Sequence, residues 1–220
     1  MKTKQTIAII GASGNMGSSI AKSLAKGNYR LLLHSTQKDK AADVLYTISK
    51  EHPDAEAEIM DCSTQASWEA DIIIMAIPYA AEKAVAEKIR EVANQKIVIS
   101  IANPLNGSFS GLVTAPGISA AEELQRWLPH SKVVKAFNTT YAADFASPVI
   151  DGQQLDCFIA GNDKEALETV EELVTIAGFN PIQAGDITVS RTLENLQALL
   201  ISLTIRYNYN WHAGWKILHN

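Results

Sequence analysis

A glycine-rich turn near the start of the chain constrains the fold more than any other feature. Residues 6–17, TIAIIGASGNMG, join a five-residue apolar strand to three glycines and then to an amphipathic helix. Gly11 lets the chain leave the strand sharply, Gly14 lets the backbone approach a pyrophosphate, and Gly17 lets the helix pack closely on the strand. A helix that begins near Asn15 points free N–H groups and its positive dipole end at the phosphates. The pattern therefore predicts a dinucleotide phosphate site.

The spacing of this turn is G-x-x-G-x-x-G, with Ala12 where the commoner motif G-x-G-x-x-G has its first glycine. The context supports a ligand, because the turn follows a buried-strand pattern and precedes a helix with Ile20, Ala21 and Leu24 on one face. The alternative is a tight strand-to-helix turn that binds nothing.

Length and charge narrow the class of protein. A chain of 220 residues suits one α/β domain, which we expect to span residues 1–220. The formal net charge is −5 and there is no long run of Lys or Arg, so we expect neither a nucleic-acid nor a membrane partner. The apolar run at residues 72–77 is too short to span a bilayer, and the first residues lack a signal-peptide cleavage pattern. These features predict a cytoplasmic protein in which Cys62 and Cys157 are reduced thiols.

Apolar runs alternate with helical patterns along the chain, which is typical of βαβ units. We predict a Rossmann-type, doubly wound, mainly parallel sheet with helices on both faces. A strongly apolar helix is expected at about residues 186–205, followed by an aromatic tail, so that residues 186–220 form a C-terminal appendage to the sheet. The predicted strands lie near residues 6–10, 30–34, 57–60, 71–76, 97–101, 133–136, 157–160 and 181–184.

The end of the second strand bears on which dinucleotide binds. An acidic residue there normally accepts hydrogen bonds from the adenosine ribose, whereas hydroxyls and cations favour a 2′-phosphate. Here the strand is followed by Ser35 and Thr36, with Lys38 and Lys40 within reach and Asp39 further along. The pattern favours NADP over NAD. The alternative is that the lysines only form a solvated helix start.

Three later strands end in residues suited to a ligand at the carboxyl edge of the sheet. Strand four ends in Ala76, Ile77, Pro78 and Tyr79, and strand five ends in Asn103 and Pro104. A proline at such a place cannot continue the ladder and turns the backbone across the cofactor. After strand six, Ala136 and Asn138 are suited to line a nicotinamide pocket, although an Asn-Thr turn after a core strand would give the same pattern.

Several of these segments together resemble one family. The motifs, in chain order, are GASGNMG, IPY, ANPL, SAAEELQRWLP, KAFNT, DCFIAGNDKEA and GFNPIQAG. They are similar to the NADPH-dependent reductases of the deazaflavin coenzyme F420, whose domain recurs in the cytosolic NADPH-binding part of membrane ferric reductases. The resemblance runs from about residue 6 to residue 200.

The resemblance implies a cofactor, a second substrate and an assembly. NADP(H) is expected on the carboxyl edge of the sheet, with F420 or a flavin as the small-molecule electron acceptor stacked on the nicotinamide, usually in a homodimer. Residue by residue, it implies contacts to the pyrophosphate or adenosine from Ser13, Asn15 and Met16, to the 2′-phosphate from Ser35, Thr36 and Lys40, and to the carboxamide from Ala136.

The chain departs from the family in two places. Thr36 and Gln37 stand where family members often present an arginine, which predicts a lower affinity for the 2′-phosphate. The tail at residues 206–216, RYNYNWHAGWK, is unusually aromatic. Its rings could shape a second-substrate pocket or a dimer contact, but packing into the core is the favoured interpretation.

The predicted reaction needs little from side chains. Hydride passes between two stacked rings, so the protein must hold the reacting atoms about 3 to 3.5 Å apart and exclude water. We therefore predict no catalytic acid or base, and the five histidines show no metal-ligand spacing. Two other functions remain open, namely reduction of a small carbonyl or imine and a sensor that binds NADP(H) without turnover.

Overall fold

The computed structural model describes residues 4–219. Eight strands form one sheet, and each overlaps a strand predicted from the sequence. They are β1 (Gln5–Ile10), β2 (Tyr29–His34), β3 (Glu56–Met60), β4 (Ile72–Met75), β5 (Ile97–Ser100), β6 (Lys132–Lys135), β9 (Asp156–Gly161) and β10 (Asn180–Gly185). Between β6 and β9 lies a short antiparallel hairpin of β7 (Val149–Ile150) and β8 (Gln153–Gln154), which the sequence analysis did not predict.

The strand order is β10-β9-β6-β5-β4-β1-β2-β3. All neighbours pair in parallel except β6 and β9, which are antiparallel with Lys135 opposite Ala160. The sheet is thus a Rossmann-type, mainly parallel sheet, as predicted. Because β9 runs against β6, its first residue, Asp156, lies at the edge where the parallel strands β1, β4, β5 and β6 end.

Seven α-helices lie within the described residues. They are α1 (Asn15–Leu24), α2 (Lys38–Glu51), α3 (Ser63–Glu69), α4 (Tyr79–Ile89), α5 (Ala120–Trp127), α6 (Lys164–Ile176) and α7 (Ser190–Tyr207). The spacing of Ser119 and Glu122 in the sequence predicts a capping box at the start of α5. It is present, since the hydroxyl of Ser119 accepts from the N–H of Glu122 and the Glu122 carboxylate accepts from the N–H of Ser119. The last helix begins later than predicted, because residues 187–189 form a 3₁₀ turn capped by Asp186.

Alternation along the central strands divides the core into two layers. Ile7 and Ile9 of β1 pack with α1, α2 and α6 on one face of the sheet, whereas Ala8 and Ile10 pack with α3, α4 and α5 on the other. Both faces of the parallel strands are therefore buried, as parallel sheets require. Within residues 4–219, none of the helices combines the length and the apolar character needed to cross a bilayer.

The aromatic tail differs from the favoured interpretation. Tyr207, Tyr209 and Trp211 each leave about half of their surface exposed, so the core does not enclose these rings. Trp215 is partly buried against a small cluster that contains Tyr141, Leu200 and Ile201. The reason is geometric, because both faces of the sheet are already covered by helices and the tail passes over the edge.

Candidate functional site

Two of the three glycines in the first turn are required by the fold itself. Gly11 has a φ of +95°, and a Cβ there would lie 2.2 Å from the carbonyl oxygen of Ala76. A Cβ on Gly17 would lie 2.2 Å from the carbonyl oxygen of Gly11. The amides of Gly11 and Ala12 both donate to the carbonyl of His34, which ties the turn to the end of β2. The turn is therefore fixed against the ends of β2 and β4 before any ligand binds.

Gly14 is different, because the protein alone does not demand a glycine there. Its φ is −72°, and a Cβ would meet only the carbonyl oxygens of Gly11 at 3.4 Å and Ala76 at 3.9 Å. Gly14 and Asn15 are exposed, Met16 is partly buried, and no side chain caps the helix that begins at Asn15. Open space in front of uncapped N–H groups is the arrangement that accepts a phosphate.

A cleft of about 370 Å³ lies at this turn. It brings together three of the segments chosen from the sequence, namely the glycine turn, the end of β2 and the end of β4. Its lining comprises Ile10, Gly11, Ser13, Gly14, His34, Ser35, Thr36, Gln37, Ala76, Ile77, Pro78, Ala81 and Val85.

Hydroxyl groups connect the turn to the second strand. The Oγ atoms of Ser13 and Ser35 are 2.5 Å apart, and the N–H of Gln37 donates to the Ser35 Oγ at 3.0 Å. Thr36 and Lys40 are exposed beside this pair, and Lys40 is not part of the cleft lining.

The sequence analysis missed a carboxylate at the same edge. Asp61 directly follows β3, and its Oδ1 lies 2.7 Å from the Nζ of Lys38. The hydrogen bond from Lys38 lowers the pKa of Asp61. A signal was available, because an acidic residue directly after a parallel strand lies at the carboxyl edge of the sheet.

The end of β4 approaches α5 through a tyrosine. Pro78 is exposed and precedes α4, whose first residue, Tyr79, donates from its hydroxyl to the carboxylate of Glu123. Burial and this carboxylate raise the pKa of Tyr79. The hydroxyl is therefore held as a donor, which leaves Ala76, Ile77 and Pro78 to face the cleft.

Asn103 and Asn138 join the ends of β5 and β6. The Nδ2 of Asn103 donates to the carbonyl of Asn138 at 2.8 Å, and the Nδ2 of Asn138 donates to the Oδ1 of Asn103 at 3.0 Å and to the carbonyl of Leu193 at 3.1 Å. Pro104, Ala136 and Asn138 are buried, whereas Asn103 is partly exposed. The side chains of Ala136 and Asn138 are therefore enclosed.

A buried ion pair lies next to these strand ends and was not anticipated. The Nζ of Lys135, the last residue of β6, is 2.7 Å from the Oε1 of Glu194 on α7 and also donates to the carbonyl of Ala102. Glu82 on α4 is completely buried, and within residues 4–219 no hydrogen-bond partner meets its carboxyl oxygens. Burial raises the pKa of Glu82 to about 8. The ion pair thus ties the end of β6 to α7.

Across the described part of the chain, no three His, Cys, Asp or Glu side chains converge as a metal site.

The sheet order, the glycine turn and the cleft at the strand ends define a dinucleotide-binding protein of the Rossmann class. The family model for coenzyme F420-dependent NADP oxidoreductases matches residues 6–104. A protein named F420-dependent NADP reductase from Methanocaldococcus jannaschii is 34% identical over 212 residues, covering 91% of this chain and 93% of that protein. The chain belongs to the family of F420-dependent NADP reductases.

Two further comparisons agree. An F420-dependent NADP reductase from Methanothermobacter marburgensis is 27% identical, over 96% of this chain and 97% of that protein. A solved structure assigned as an F420-dependent NADP-reductase, from Arthrobacter sp. FB24, superposes with a TM-score of 0.84 at 26% identity, covering 98% of this chain and all of that one. The resemblance inferred from the ordered motifs is thereby confirmed.

Proposed function

We propose that this enzyme transfers hydride between NADP(H) and coenzyme F420. The observation that carries the proposal is the 34% identity to a named F420-dependent NADP reductase along nearly the whole of both chains. The uncapped glycine turn and the adjoining cleft support it, because they leave room for a dinucleotide at the carboxyl edge of the sheet.

The proposal assigns the first part of the site to the phosphates. The amides of Ser13, Asn15 and Met16 face the diphosphate across Gly14, while Gly11, Ala12 and Gly17 shape the turn. The free N–H groups and the dipole of α1 favour an anion at this point. Ser35, Thr36 and Lys40 are assigned to the 2′-phosphate, because two hydroxyls and an ammonium offer the donors that a phosphate accepts.

The remaining residues are assigned to the nicotinamide end. Ala76, Ile77, Pro78 and Tyr79 would flank the ribose and ring from β4, and Asn103 with Pro104 from β5. Ala136 and Asn138 are buried, so only their backbone atoms are offered as contacts to the carboxamide. Asn138 already uses both amide protons, which makes it a positioning residue for Asn103.

When bound, NADPH supplies the hydride that the acceptor ring takes up. The chain has a limited task in this reaction, which is to bind, orient and exclude water. No side chain is assigned as a catalytic acid or base, since the hydroxyl of Tyr79 is already committed to Glu123.

The proposal also covers the oligomeric state of the chain and its place in the cell. We place the chain in a homodimer, because Leu199 and Ile205 on α7 leave at least half of their surface exposed. We place it in the cytoplasm, because Cys62 and Cys157 are both free thiols, as in reducing compartments. Residues 1–220 would act as one dinucleotide-binding domain, since the eight main strands share one sheet.

Anaerobic stopped-flow mixing tests the function. Protein loaded with NADPH is mixed with F420, with FMN and with FAD, and the oxidation of NADPH is followed by absorbance. We expect rapid oxidation with F420, slower or no oxidation with the flavins, and a preference for NADPH over NADH. Absence of NADPH oxidation with all three acceptors would overturn the proposal. Sedimentation velocity over a range of protein concentrations tests the dimer.

A further inference from the structure

The C-terminal tail is fastened at the edge of the sheet where β5 and β6 end. Asp156, at the start of β9, donates from its N–H to the carbonyl of Trp215 at 2.9 Å. Its carboxylate accepts from the Nζ of Lys216 at 2.9 Å, from the N–H of Ile217 at 2.6 Å and from the Nδ2 of Asn180 at 2.7 Å. Three of these four hydrogen bonds, those with Trp215, Lys216 and Ile217, hold the tail in a defined position.

These bonds outweigh the cost of burying a carboxylate. Burial acts to raise the pKa of Asp156, but the hydrogen bonds from Ile217, Asn180 and Lys216 lower it overall. The residue therefore stays charged, and it attracts Lys216 and the Ile217 amide throughout the neutral range.

The fastened tail carries an aromatic surface. Trp211 makes an edge-to-face contact with Tyr141 at 5.6 Å between ring centroids and a second with Phe109 at 6.4 Å. Tyr141 is buried and its hydroxyl is bonded to Thr204 of α7, but Trp211 and Phe109 leave 47% and 45% of their surface exposed. We call Phe109, Tyr141 and Trp211 the aromatic patch.

Two residues of the aromatic patch lie on the segments that follow the strand ends assigned to the nicotinamide. Tyr141 follows Asn138 by three residues, in the segment after β6. Phe109 lies in the segment after β5, whose Leu105 packs with Tyr141 and comes two residues after Asn103. Phe109 and Tyr141 thus lie on the direct extensions of the two strand ends joined by Asn103 and Asn138, and Trp211 reaches them from the tail.

The backbone at Phe109 and Trp211 adopts a conformation that is unfavourable for large side chains. Phe109 and Trp211 both have a φ of +57°, in the left-handed region that bulky side chains rarely adopt. Such conformations cost free energy and persist only where surrounding contacts hold them, as at ligand clamps. Two exposed rings held in this way are poorly explained by packing alone.

We propose that the exposed faces of Phe109 and Trp211 form the stacking surface for the planar ring of the electron acceptor. This inference rests on the proposed function and adds to it the residues that select the second substrate. A tricyclic deazaflavin presents a broad, flat π surface, which aromatic side chains bind without needing matched hydrogen bonds. The patch offers two such rings, Phe109 on the segment after β5 and Trp211 on the tail, with Tyr141 packed edge-to-face against Trp211.

Steady-state kinetics with matched variants tests the proposal. Trp211→Ala and Phe109→Ala are compared with Trp68→Ala, which removes a more exposed tryptophan from α3. We expect each patch variant to raise the KM for F420 about tenfold, the effect of losing one stacking ring, with the Kd for NADPH unchanged. Trp211→Phe should restore most of the affinity, and Trp68→Ala should behave as the wild type.

A binding measurement gives a second readout. Tryptophan emission of the NADP⁺-loaded protein is titrated with F420. We expect quenching in the wild type that is reduced in Trp211→Ala, where Trp215 still emits, and kept in Trp68→Ala. NADPH binding at wild-type affinity verifies that each variant is folded.

The outcomes separate this inference from the proposed function. If the wild type oxidises NADPH with F420 and both patch variants keep its KM, the stacking surface is wrong and the function stands. If the wild type neither turns over nor binds F420, both are wrong. If the patch variants instead convert a dimer into monomers without changing the KM, the patch is a contact between copies of the chain and the stacking proposal falls.

Discussion

The Nζ of Lys135 and the Oε1 of Glu194 lie 2.7 Å apart with both side chains fully buried. Lys135 ends β6, Glu194 lies on α7, and the same ammonium donates to the carbonyl of Ala102 after β5. The second oxygen of Glu194 accepts from the N–H of Ala120 at 3.1 Å, at the start of α5. One ion pair thus joins four segments next to the strand ends that we assign to the nicotinamide.

Removing one member of this pair is expected to destabilise the fold strongly. Lys135→Met leaves a buried carboxylate without its cation, and we expect a loss of about 3 to 5 kcal/mol in the free energy of unfolding. Urea denaturation measures it. Adding Glu194→Gln to this variant should recover part of the loss, because the uncompensated charge disappears. Lys164→Ala, which breaks the exposed pair with Glu168, should change stability by less than about 0.5 kcal/mol. A loss for Lys135→Met no larger than this control would contradict the assignment.

Glu82 is expected to make stability depend on pH. The side chain is fully buried and faces Lys135, Glu194 and Glu123. Burial raises its pKa from 4.5 to about 8, so the folded state holds a proton that the unfolded chain releases. Stability contributed by this group is therefore full below about pH 4.5 and is lost as the pH rises towards 8.

Glu82→Gln tests this dependence, because the amide cannot titrate. We expect the variant to unfold at a higher temperature than the wild type at pH 8.5, with a smaller difference near pH 5. Thermal denaturation over this pH range measures it. Glu87→Gln, an exposed change on the same helix, is the control and should follow the wild type. A difference between Glu82→Gln and the wild type that does not vary with pH would show that Glu82 does not titrate in this range.

A substitution at Gly14 is expected to weaken NADPH binding while leaving the fold nearly as stable. A methyl group there meets only ordinary contacts, so we expect Gly14→Ala to cost about 1 kcal/mol or less in stability. The same methyl group would occupy the space in front of the α1 amides, and we expect at least a tenfold rise in the Kd for NADPH. Calorimetry measures the Kd and thermal denaturation the stability.

Two other glycines serve as comparisons. Gly107→Ala, with nothing within 4 Å of the added Cβ, should change neither quantity, whereas Gly17→Ala should destabilise the fold through its clash with Gly11. Unchanged NADPH binding in Gly14→Ala would mean that the phosphates do not lie at this turn.

The elements predicted correctly from the sequence are those that depend on local patterns. Apolar runs bounded by turn residues placed all eight strands of the sheet, and the Ser119 and Glu122 spacing placed a helix start. The glycine turn could be recognised because its three glycines stand between a strand pattern and a helix pattern within one short stretch of chain. Each of these features depends on residues that are close in sequence.

Features that depend on distant partners were missed. Lys135 is the last residue of a short apolar strand. No neighbouring residue in the sequence indicates that its ammonium contacts Glu194, 59 residues later. The antiparallel direction of β9 depends on how the chain returns after β6, which strand composition does not encode. The left-handed φ of Phe137, directly after Ala136, has no signal in a phenylalanine. The aromatic tail was expected in the core because aromatic clusters usually bury area, yet the faces of the sheet were already occupied.

Lys40 is expected to contribute to the preference for NADPH over NADH. It is exposed beside Ser35 and Thr36, whereas Lys38 is paired with Asp61 at 2.7 Å. If its ammonium meets the 2′-phosphate, Lys40→Ala should raise the Kd for NADPH several-fold and leave the Kd for NADH unchanged, because NADH lacks that phosphate. Lys50→Ala, at the far end of the same helix, removes the same charge and should affect neither Kd. Titrations at low and high salt measure the effect, which should shrink at high salt because the contact is exposed. An equal rise for both dinucleotides in Lys40→Ala would mean that the lysine acts on a part of the cofactor that they share, and that the 2′-phosphate is held by Ser35 and Thr36 without it.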